Sequence, residues 1–222
     1  MPERPEPREE AVDLAELREE YRAGSLETHE VAADPLDQLG RWIAEAVAAR
    51  LADPTAMTLA TVGADGEPSA RTVLCKGLEG GGVDFYTNLE SRKADDLAAN
   101  PRAAAVFCWT PLQRQVIVRG PVASIPAEEA DAYFASRPRD SQLGAWASPQ
   151  SRPVAGRAEL DAALASAAER FVEAPVPRPD WWGGFRLLPR EVEVWQGRRA
   201  RLHDRLRYRR DEGGWRIERL AP

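Results

Sequence analysis

A run of alternating basic residues near the C-terminus is the clearest sign of chemistry in this sequence. Every odd position from Arg199 to Arg209 is basic, and His203 stands in the middle of the run. In a β-strand these side chains share one face, where like charges repel one another. The neighbouring arginines should also disfavour protonation of His203, leaving it a neutral donor or acceptor. The run therefore favours a cationic face that orients a substrate over an ordinary solvated face.

The hexapeptide Arg71-Thr72-Val73-Leu74-Cys75-Lys76 places a cation at each end of an apolar strand. Arg71 and Lys76 are separated by an odd number of positions, so in an ideal strand they point to opposite faces. They could then serve two different anions. Taken alone, the hexapeptide favours the simpler interpretation that both are solvated charges at the strand ends.

A third cluster, Tyr86-Thr87-Asn88 with Ser91-Arg92-Lys93, lies between a predicted strand and a predicted helix. A hydroxyl, two adjacent cations and a helix N-terminus can form a phosphate cradle. Arg92 and Lys93 are unfavourable beside the positive end of the helix dipole unless an anion binds there. An ordinary helix capped by Ser91, with a charged first turn, explains the pattern equally well.

A fourth cluster combines Tyr133, Arg137 and Ser141. The first two share a face if one helix includes both, and the three groups could together surround a phosphate monoester. The sequence has no HExxH motif, Cys/His cluster, G-x-S-x-G elbow, P-loop or G-x-G-x-x-G loop, and His29 receives no role. We therefore expect no metal, and redox chemistry in this chain would need an organic cofactor.

The composition is that of an acidic globular protein. Among 222 residues the net charge is −6, which argues against a general nucleic-acid binder. Cys75 and Cys108 stand in apolar, strand-like runs and are expected to be buried, reduced thiols. The first residues lack the apolar core of a signal peptide, and no stretch has the length of a membrane span. We therefore expect a cytoplasmic protein with no membrane partner.

Hydrophobic periodicity predicts a mainly β fold decorated with helices. Helices are expected at 17–24, 35–52, 91–99, 127–136 and 157–171, the second with an apolar face of Leu36, Leu39, Ile43, Val47 and Leu51. Strands are expected at 57–62, 69–78, 83–87, 103–109, 114–124, 184–188, 191–196, 199–209 and 214–219. Strands joined by short turns favour an antiparallel barrel. Residues 1–16 should form a disordered tail and residues 17–222 a single domain.

Taken in order along the chain, these motifs resemble the pyridoxine/pyridoxamine 5′-phosphate oxidase family, from about Leu17 to Pro222. Besides the clusters above, the likeness is carried by Arg114-Gln115-Val116, Ala145-Trp146-Ala147-Ser148-Pro149-Gln150-Ser151, Val194-Trp195-Gln196-Gly197 and Arg201-Leu202-His203-Asp204-Arg205. The chain departs from the usual family residues at Ser25, Cys75 and Trp181-Trp182. The resemblance implies an antiparallel split β-barrel that forms a homodimer, with FMN bound at the subunit interface.

The resemblance also implies roles for individual residues. The implied FMN contacts are Arg71, Thr72, Val73, Leu74, Cys75, Lys76, Tyr86, Thr87, Arg92, Lys93, Gln115, Gln150, Ser151, Trp195 and Arg205. The implied substrate contacts are Arg18, Tyr21, Lys76, Tyr133, Arg137, Ser141, Arg201 and His203. Among these, Arg201 and His203 would be the catalytic residues that face the pyridine ring, and Arg18 and Tyr21 would belong to a lid. The remaining basic residues of the C-terminal run, Arg199, Arg207 and Arg209, are expected to be solvated.

The activity that the resemblance implies is an FMN-dependent oxidation. Pyridoxine 5′-phosphate or pyridoxamine 5′-phosphate would be converted to pyridoxal 5′-phosphate with O2 as acceptor, releasing H2O2, and NH3 from the amine. Two alternatives stay open. One is a flavin- or deazaflavin-dependent reductase of the same barrel superfamily, and the other is a non-catalytic protein that binds FMN or pyridoxal 5′-phosphate.

Overall fold

A computed structural model describes residues 20–21 and 24–222 of the chain. The predicted tail at 1–16, Arg18 and much of the predicted helical turn at 17–24 lie outside the described residues. Over the part that is described, no helix is long and apolar enough to cross a membrane.

The described part of the chain contains nine β-strands and five α-helices. The strands are β1 (Ala56–Val62), β2 (Pro68–Leu74), β3 (Val83–Asn88), β4 (Arg102–Trp109), β5 (Arg114–Ser124), β6 (Trp182–Leu187), β7 (Glu191–Gln196), β8 (Asp204–Asp211) and β9 (Gly214–Leu220). The helices are α1 (Pro35–Ala48), α2 (Arg92–Ala99), α3 (Ala127–Ser136), α4 (Arg139–Ala147) and α5 (Arg157–Arg170). Two differences from the predicted elements matter for the site: periodicity does not predict α4, and the strand predicted at 199–209 begins only at Asp204.

All strand pairs among the described residues are antiparallel, in the order β2-β1-β4-β5-β7-β8-β9. Strand β6 lies outside this row and pairs with both β5 and β3. Between the end of β2 and β3 the described residues form only an isolated bridge, Gly77 to Asp84, so the sheet stays open there. The predicted antiparallel barrel with added helices is confirmed in its split form.

One large core lies against the sheet and under α1. Alternate residues of the central strands are buried: Ala105, Phe107, Trp109, Val116, Val118, Val192, Val194, Leu206 and Tyr208. This period of two is the reason that these segments form strands with one face inward. Helix α1 covers the core with Leu39, Trp42 and Ala46. Val47, which the predicted apolar face includes, is 55% exposed, because it lies about 100° around the helix from Ala46.

A smaller core holds α3, α4 and α5 near β6. Its buried members are Phe134, Leu143, Ala167, Phe171, Val176 and Trp182. Arg139 at the start of α4 donates to the carbonyl oxygens of Phe171 and Ala174 just beyond α5, which ties the two helices together. The hydrophobic pattern does not predict helix α4, because a single buried residue, Leu143, gives no repeat. Helices α3 and α4 contribute residues to one wall of the cavity that contains the candidate site.

Strand β5 changes its partner at Gly120. Residues 114–119 pair with β7 and residues 122–124 pair with β6, so the connection between β6 and β7 crosses here. This connection donates two backbone hydrogen bonds of 2.8 Å to β5, one on either side of the glycine. A Cβ atom at Gly120 would lie 1.8 Å from the carbonyl oxygen of Leu188. Glycine is required because two backbones approach each other so closely.

We expect Gly120→Ala to destabilise the fold by about 3 kcal/mol or more, because a crossing backbone has to move to admit the methyl group. Gly144→Ala is the matched control, since a Cβ at Gly144 in α4 meets no atom within 4 Å. The Gly144→Ala substitution should leave the free energy of unfolding unchanged or raise it slightly. Urea unfolding measures both variants. Equal midpoints for Gly120→Ala and the unsubstituted chain would show that the crossing tolerates a side chain.

Candidate functional site

A cavity of about 460 Å³ brings three of the four predicted clusters together. The predicted contact residues that line it are Arg71, Thr72, Val73, Leu74, Lys76, Tyr86, Thr87, Lys93, Tyr133, Arg137 and Gln150. Further lining residues, which the sequence patterns do not mark as contacts, are Asn88, Gly144, Ala145, Ser148 and Trp182. The cavity thus lies between β2, β3, the start of α2 and the helices α3 and α4.

The prediction that Arg71 and Lys76 point to opposite faces is wrong, since both line this cavity. That they serve two different anions stays a prediction. Strand β2 ends at Leu74, and beyond its end the alternation of a strand no longer holds. The side chain of Cys75 packs into the core instead of lining the cavity, and burial raises the pKa of its thiol to about 11. Cys108 is exposed, so the expectation of a buried thiol is confirmed for Cys75 and wrong for Cys108.

One end of the cavity is cationic and centres on Lys93. Its Nζ donates to Thr87 Oγ1 at 3.0 Å, to Ser91 Oγ at 2.9 Å and to Gln150 Oε1 at 2.8 Å. Burial and the charge of Arg71 lower the pKa of Lys93 to about 8. The ammonium group is therefore held in place by three neutral oxygens, none of which neutralises its charge.

Two arginines add to this cationic end. The pKa of Arg71 is lowered, chiefly by burial and further by the charge of Arg92, although Asp96 opposes the change. Arg92 and Ser151 do not line the cavity themselves, but the Arg92 backbone N–H donates to Ser151 Oγ at 3.3 Å. Ser91 occupies the N-cap position of α2, as predicted, but among the described residues its hydroxyl makes no capping hydrogen bond. Cations that destabilise one another in this way favour a bound anion.

The other end of the cavity is aromatic and carries Arg137. Tyr86 and Tyr133 stack with 4.0 Å between ring centroids, and Trp182 stacks on Tyr86 at 5.5 Å. The guanidinium carbon of Arg137 lies 4.8 Å from the Trp182 ring centroid. Burial lowers the pKa of Arg137, and its buried Nη1 has no hydrogen-bond partner in the part of the chain that the structure describes. A buried N–H group that lacks an acceptor is costly, so this end also favours an anion.

The predicted grouping of Tyr133, Arg137 and Ser141 is only partly reproduced. Helix α3 ends at Ser136, so Tyr133 and Arg137 do not share one helix, although both line the cavity. Ser141 lies in the first turn of α4 and does not line the cavity. Its contact with a substrate stays a prediction.

A second cluster of predicted residues lies around the turn between β7 and β8. The His203 ring packs against Trp195, with 4.7 Å between centroids, and against Tyr21 at 5.3 Å. The guanidinium carbon of Arg201 lies 5.5 Å from the Tyr21 ring centroid. Tyr21, predicted as part of a lid, therefore contacts the two predicted catalytic residues. None of these four side chains lines the cavity within the same chain.

The imidazole of His203 is held in one tautomer. Its Nδ1 accepts a hydrogen bond from the Arg198 backbone N–H at 3.1 Å, so the proton of the neutral ring is on Nε2. Burial and then the charge of Arg201 lower the pKa of His203. The predicted direction of this effect is confirmed, with burial as the larger cause. Nε2–H is left as a donor for a ligand.

The prediction of one continuous cationic strand over 199–209 is wrong. Its first three residues form a 3-10 turn, in which Ala200 and Arg201 have φ angles of 55° and 62°. This left-handed backbone, uncommon outside glycine, takes Arg201 out of strand geometry. Arg207, expected to be solvated, donates to Glu218 on β9 at 2.7 Å.

Three predicted FMN contacts form a row across the sheet. Gln115, Trp195 and Arg205 lie in register on β5, β7 and β8, and in-register residues of adjacent strands point to the same face. Arg205 donates to both carboxylate oxygens of Glu193, at 2.7 and 3.1 Å. The row meets the second cluster at Trp195, and the two together form one surface, the row around Trp195, which does not line the cavity of the same chain.

Two family models match the chain. Residues 43–171 match the model described as Pyridoxamine 5′-phosphate oxidase, and residues 182–222 match the Pyridoxine 5′-phosphate oxidase C-terminal dimerisation region. A pyridoxine/pyridoxamine 5′-phosphate oxidase of Cupriavidus pinatubonensis is 56% identical over 95% of this chain and 100% of its own length. That of Salinibacter ruber is 55% identical over 94% of this chain and 99% of its own length.

Solved structures share the fold. PhzG from Burkholderia lata 383, in complex with tetrahydrophenazine-1-carboxylic acid, has a TM-score of 0.82 and 32% identity, covering 87% of this chain and 95% of that chain. A pyridoxamine 5′-phosphate oxidase-related, FMN binding protein from Nostoc punctiforme has a TM-score of 0.69 and 21% identity, covering 86% of this chain and 100% of that chain. Because the first family model spans more than half of the sequence, and relatives match almost all of it, the chain belongs to the pyridoxine/pyridoxamine 5′-phosphate oxidase family.

Proposed function

We propose that this chain is an FMN-dependent oxidase that converts pyridoxine 5′-phosphate or pyridoxamine 5′-phosphate to pyridoxal 5′-phosphate, with O2 as the electron acceptor. The observation that carries the proposal is one cavity with two separate cationic ends, around Lys93 and around Arg137. A phosphorylated cofactor and a phosphorylated substrate each bring one phosphate group to such a cavity.

The end around Lys93 fits the phosphate of FMN. Arg71 and Lys93 are held where their charges oppose each other, and a bound dianion relieves that repulsion. The adjoining strand residues 72–74 and Gln150 line the cavity beside this end and would hold the rest of the cofactor. When bound, FMN supplies a flavin that takes two electrons from the substrate and passes them to O2, giving H2O2.

The end around Arg137 fits the phosphate of the substrate. A phosphate oxygen would accept from the buried Nη1 that otherwise has no partner. Tyr133 and Lys76 line the same cavity and would add a hydroxyl donor and an ammonium group. Contacts with the phosphate at this end would hold the substrate beside the cofactor, and they would contribute mainly to affinity because they are similar in the ground and transition states.

The row around Trp195 would complete the site from the partner subunit. The C-terminal dimerisation region spans residues 182–222 and contains Trp195, Arg201, His203 and Arg205. In one chain this row does not line the cavity that holds the phosphate ligands. A homodimer allows each chain to place its row over the cavity of the other, with FMN between the two subunits.

Arg201 and His203 would orient the substrate ring at this interface. The fixed tautomer of His203 offers Nε2–H as a donor, and Arg201 offers a permanent positive charge that balances negative charge on the ring. Oxidation to the aldehyde level would remove two electrons and two protons from the substrate, one proton from the carbon and one from the oxygen or nitrogen that it bears, and O2 would take up both electrons and both protons as H2O2. The amine substrate then releases NH3 on reaction with water.

The assay of purified protein with FMN separates this proposal from its alternatives. Production of pyridoxal 5′-phosphate and H2O2 in equal amounts from either substrate, in air, is the expected result. FMN binding without turnover would favour a non-catalytic binding protein, and turnover only with a reduced flavin or deazaflavin partner would favour a reductase. The 32% likeness to PhzG adds a tetrahydrophenazine carboxylic acid as a control substrate without phosphate. The cytoplasmic location and the single domain remain predictions.

Arg137→Ala should raise KM for either substrate by roughly tenfold to a hundredfold, with kcat little changed, because a phosphate contact is similar in the ground and transition states. Steady-state kinetics at saturating FMN measures both constants. Arg157→Ala is the matched control, since its side chain is 82% exposed and away from the cavity. A fall in kcat at constant KM would contradict the assignment of Arg137 to the substrate phosphate.

The activity should decline at acid pH through the titration of His203. Burial and the charge of Arg201 hold the pKa of His203 below the usual 6.5. The ring is therefore still neutral at pH 6.5 and becomes protonated only as the pH falls through this lowered pKa. Protonation places a hydrogen on Nδ1 and breaks the bond from Arg198. The substrate phosphate also titrates near this range, so the control is His203→Gln, which should lose the acid limb caused by His203. An identical acid limb in both proteins would contradict the prediction.

A further inference from the structure

A buried carboxylate lies beneath the cationic end of the cavity. Asp96 is on α2, one turn after Lys93, and is 6% exposed. Its Oδ2 accepts from Thr61 Oγ1 at 2.6 Å and from Ser69 Oγ at 2.7 Å. Nη2 of Arg71 lies 3.6 Å from the same oxygen. Asp96 does not line the cavity, so it acts on a ligand only through other residues.

The two hydroxyl groups connect Asp96 to Arg71. Arg71 donates from Nη1 to Thr61 Oγ1 at 2.7 Å and from Nη2 to Ser69 Oγ. It also donates to the carbonyl oxygen of Leu59 at 3.2 Å. The guanidinium group is therefore fixed against β1 and β2 by three acceptors.

The direction of these hydrogen bonds depends on Asp96. An ionised carboxylate can only accept, and each hydroxyl has a single proton to donate. When the Thr61 and Ser69 hydroxyls both donate their hydrogen bonds to Asp96, the lone pairs of the two hydroxyl oxygens are left to accept from the N–H groups of Arg71. Burial alone would raise the pKa of Asp96, but the two hydroxyl donors and the charge of Arg71 outweigh it and keep the carboxyl ionised.

We propose that Asp96 is a positioning residue for the cofactor phosphate: it orients the Thr61 and Ser69 hydroxyls so that they hold Arg71 in its binding geometry. This inference rests on the proposed function, in which Arg71 binds the FMN phosphate. Asp96 cannot act by simple attraction, because a negative charge behind Arg71 weakens the pull of the site on a phosphate. Asp96 instead favours phosphate binding by fixing the position of the Arg71 guanidinium group.

The preference for FMN over riboflavin measures this effect directly, since the two ligands differ by the phosphate group. Asp96→Leu has a similar shape and no acceptor, and it should weaken FMN binding by roughly tenfold or more with little change in riboflavin binding. Quenching of flavin fluorescence on titration into the apoprotein gives both dissociation constants. Asp96→Asn should recover most of the preference, because its amide oxygen can accept both hydroxyl protons.

Three controls keep the test decisive. Asp95→Asn removes the same charge from an exposed position on the same helix and should change neither constant. Ser69→Ala removes one of the two hydroxyls, and it replaces Asp96→Leu in the test if that variant does not fold. We expect Ser69→Ala to lose less of the preference for FMN. In an Arg71→Ala background, Asp96→Leu should have little further effect on the preference.

The outcomes separate this inference from the proposed function. If the unsubstituted protein does not prefer FMN to riboflavin, the proposed cofactor site itself is overturned. If it prefers FMN and both Asp96→Leu and Ser69→Ala keep that preference, only the positioning role is overturned. An equal loss of both ligands in these variants would indicate that Asp96 merely stabilises the fold, and would also overturn the inference.

Discussion

Positive charge held close to positive charge is the constraint on which the rest of this site depends. Arg71 comes from β2, and Arg92 and Lys93 come from the start of α2. Burial is the largest cause that lowers the pKa of Arg71 and of Lys93, and the charge of Arg92 lowers the first further while the charge of Arg71 lowers the second further. The protein as a whole is acidic, with a net charge of −6, so this cluster is a local feature. Asp96 offsets part of the charge from behind, and the proposed phosphate offsets the rest from the cavity.

Two arginines of β8 are paired with acidic residues, in contrast to Arg137 in the cavity. Arg205 binds both oxygens of Glu193, and Arg207 binds Glu218, so acidic residues on the neighbouring strands balance these two cations. Among the described residues Arg137 has no such acid, and its Nη1 is left without a partner. Arg207 also has a buried nitrogen without a partner, Nε, among the described residues, but Arg207 is paired with an acid and does not line the cavity, whereas Arg137 lines the cavity. Arg205 already has a strong partner, so any contact with FMN would use its remaining N–H groups.

Much of the fold could be predicted from the sequence, because strand alternation and helix caps are local signals. The spacing that buries Phe107 and Trp109 or Val192 and Val194 is visible in the sequence as a period of two. Helix α4 gives no such repeat, with Leu143 as its buried residue, and therefore was not predicted.

The wrong predictions at the site arise where the backbone leaves a regular strand or where the partner residue is on another strand. An alternating run such as 199–209 is compatible with a strand, but the left-handed φ angles of Ala200 and Arg201 break it before β8 begins. The parity of Arg71 and Lys76 fails because β2 ends between them. The acid that balances Arg207 is on another strand, 11 positions away, and no local pattern identifies that partner.

Dividing the site between a cavity and a separate row has a chemical consequence. In the proposed function the cavity would provide the phosphate contacts, which contribute to affinity, whereas the row around Trp195 would provide His203 and Arg201, which contribute to orientation and charge balance at the ring. The row is already ordered within one chain, because Trp195, Tyr21 and the Arg198 backbone hold the imidazole. Bringing two ordered surfaces together costs less conformational entropy than ordering a loop around each substrate. On the proposed arrangement, dimerisation therefore supplies catalytic geometry at low entropic cost, in addition to any stability that it adds.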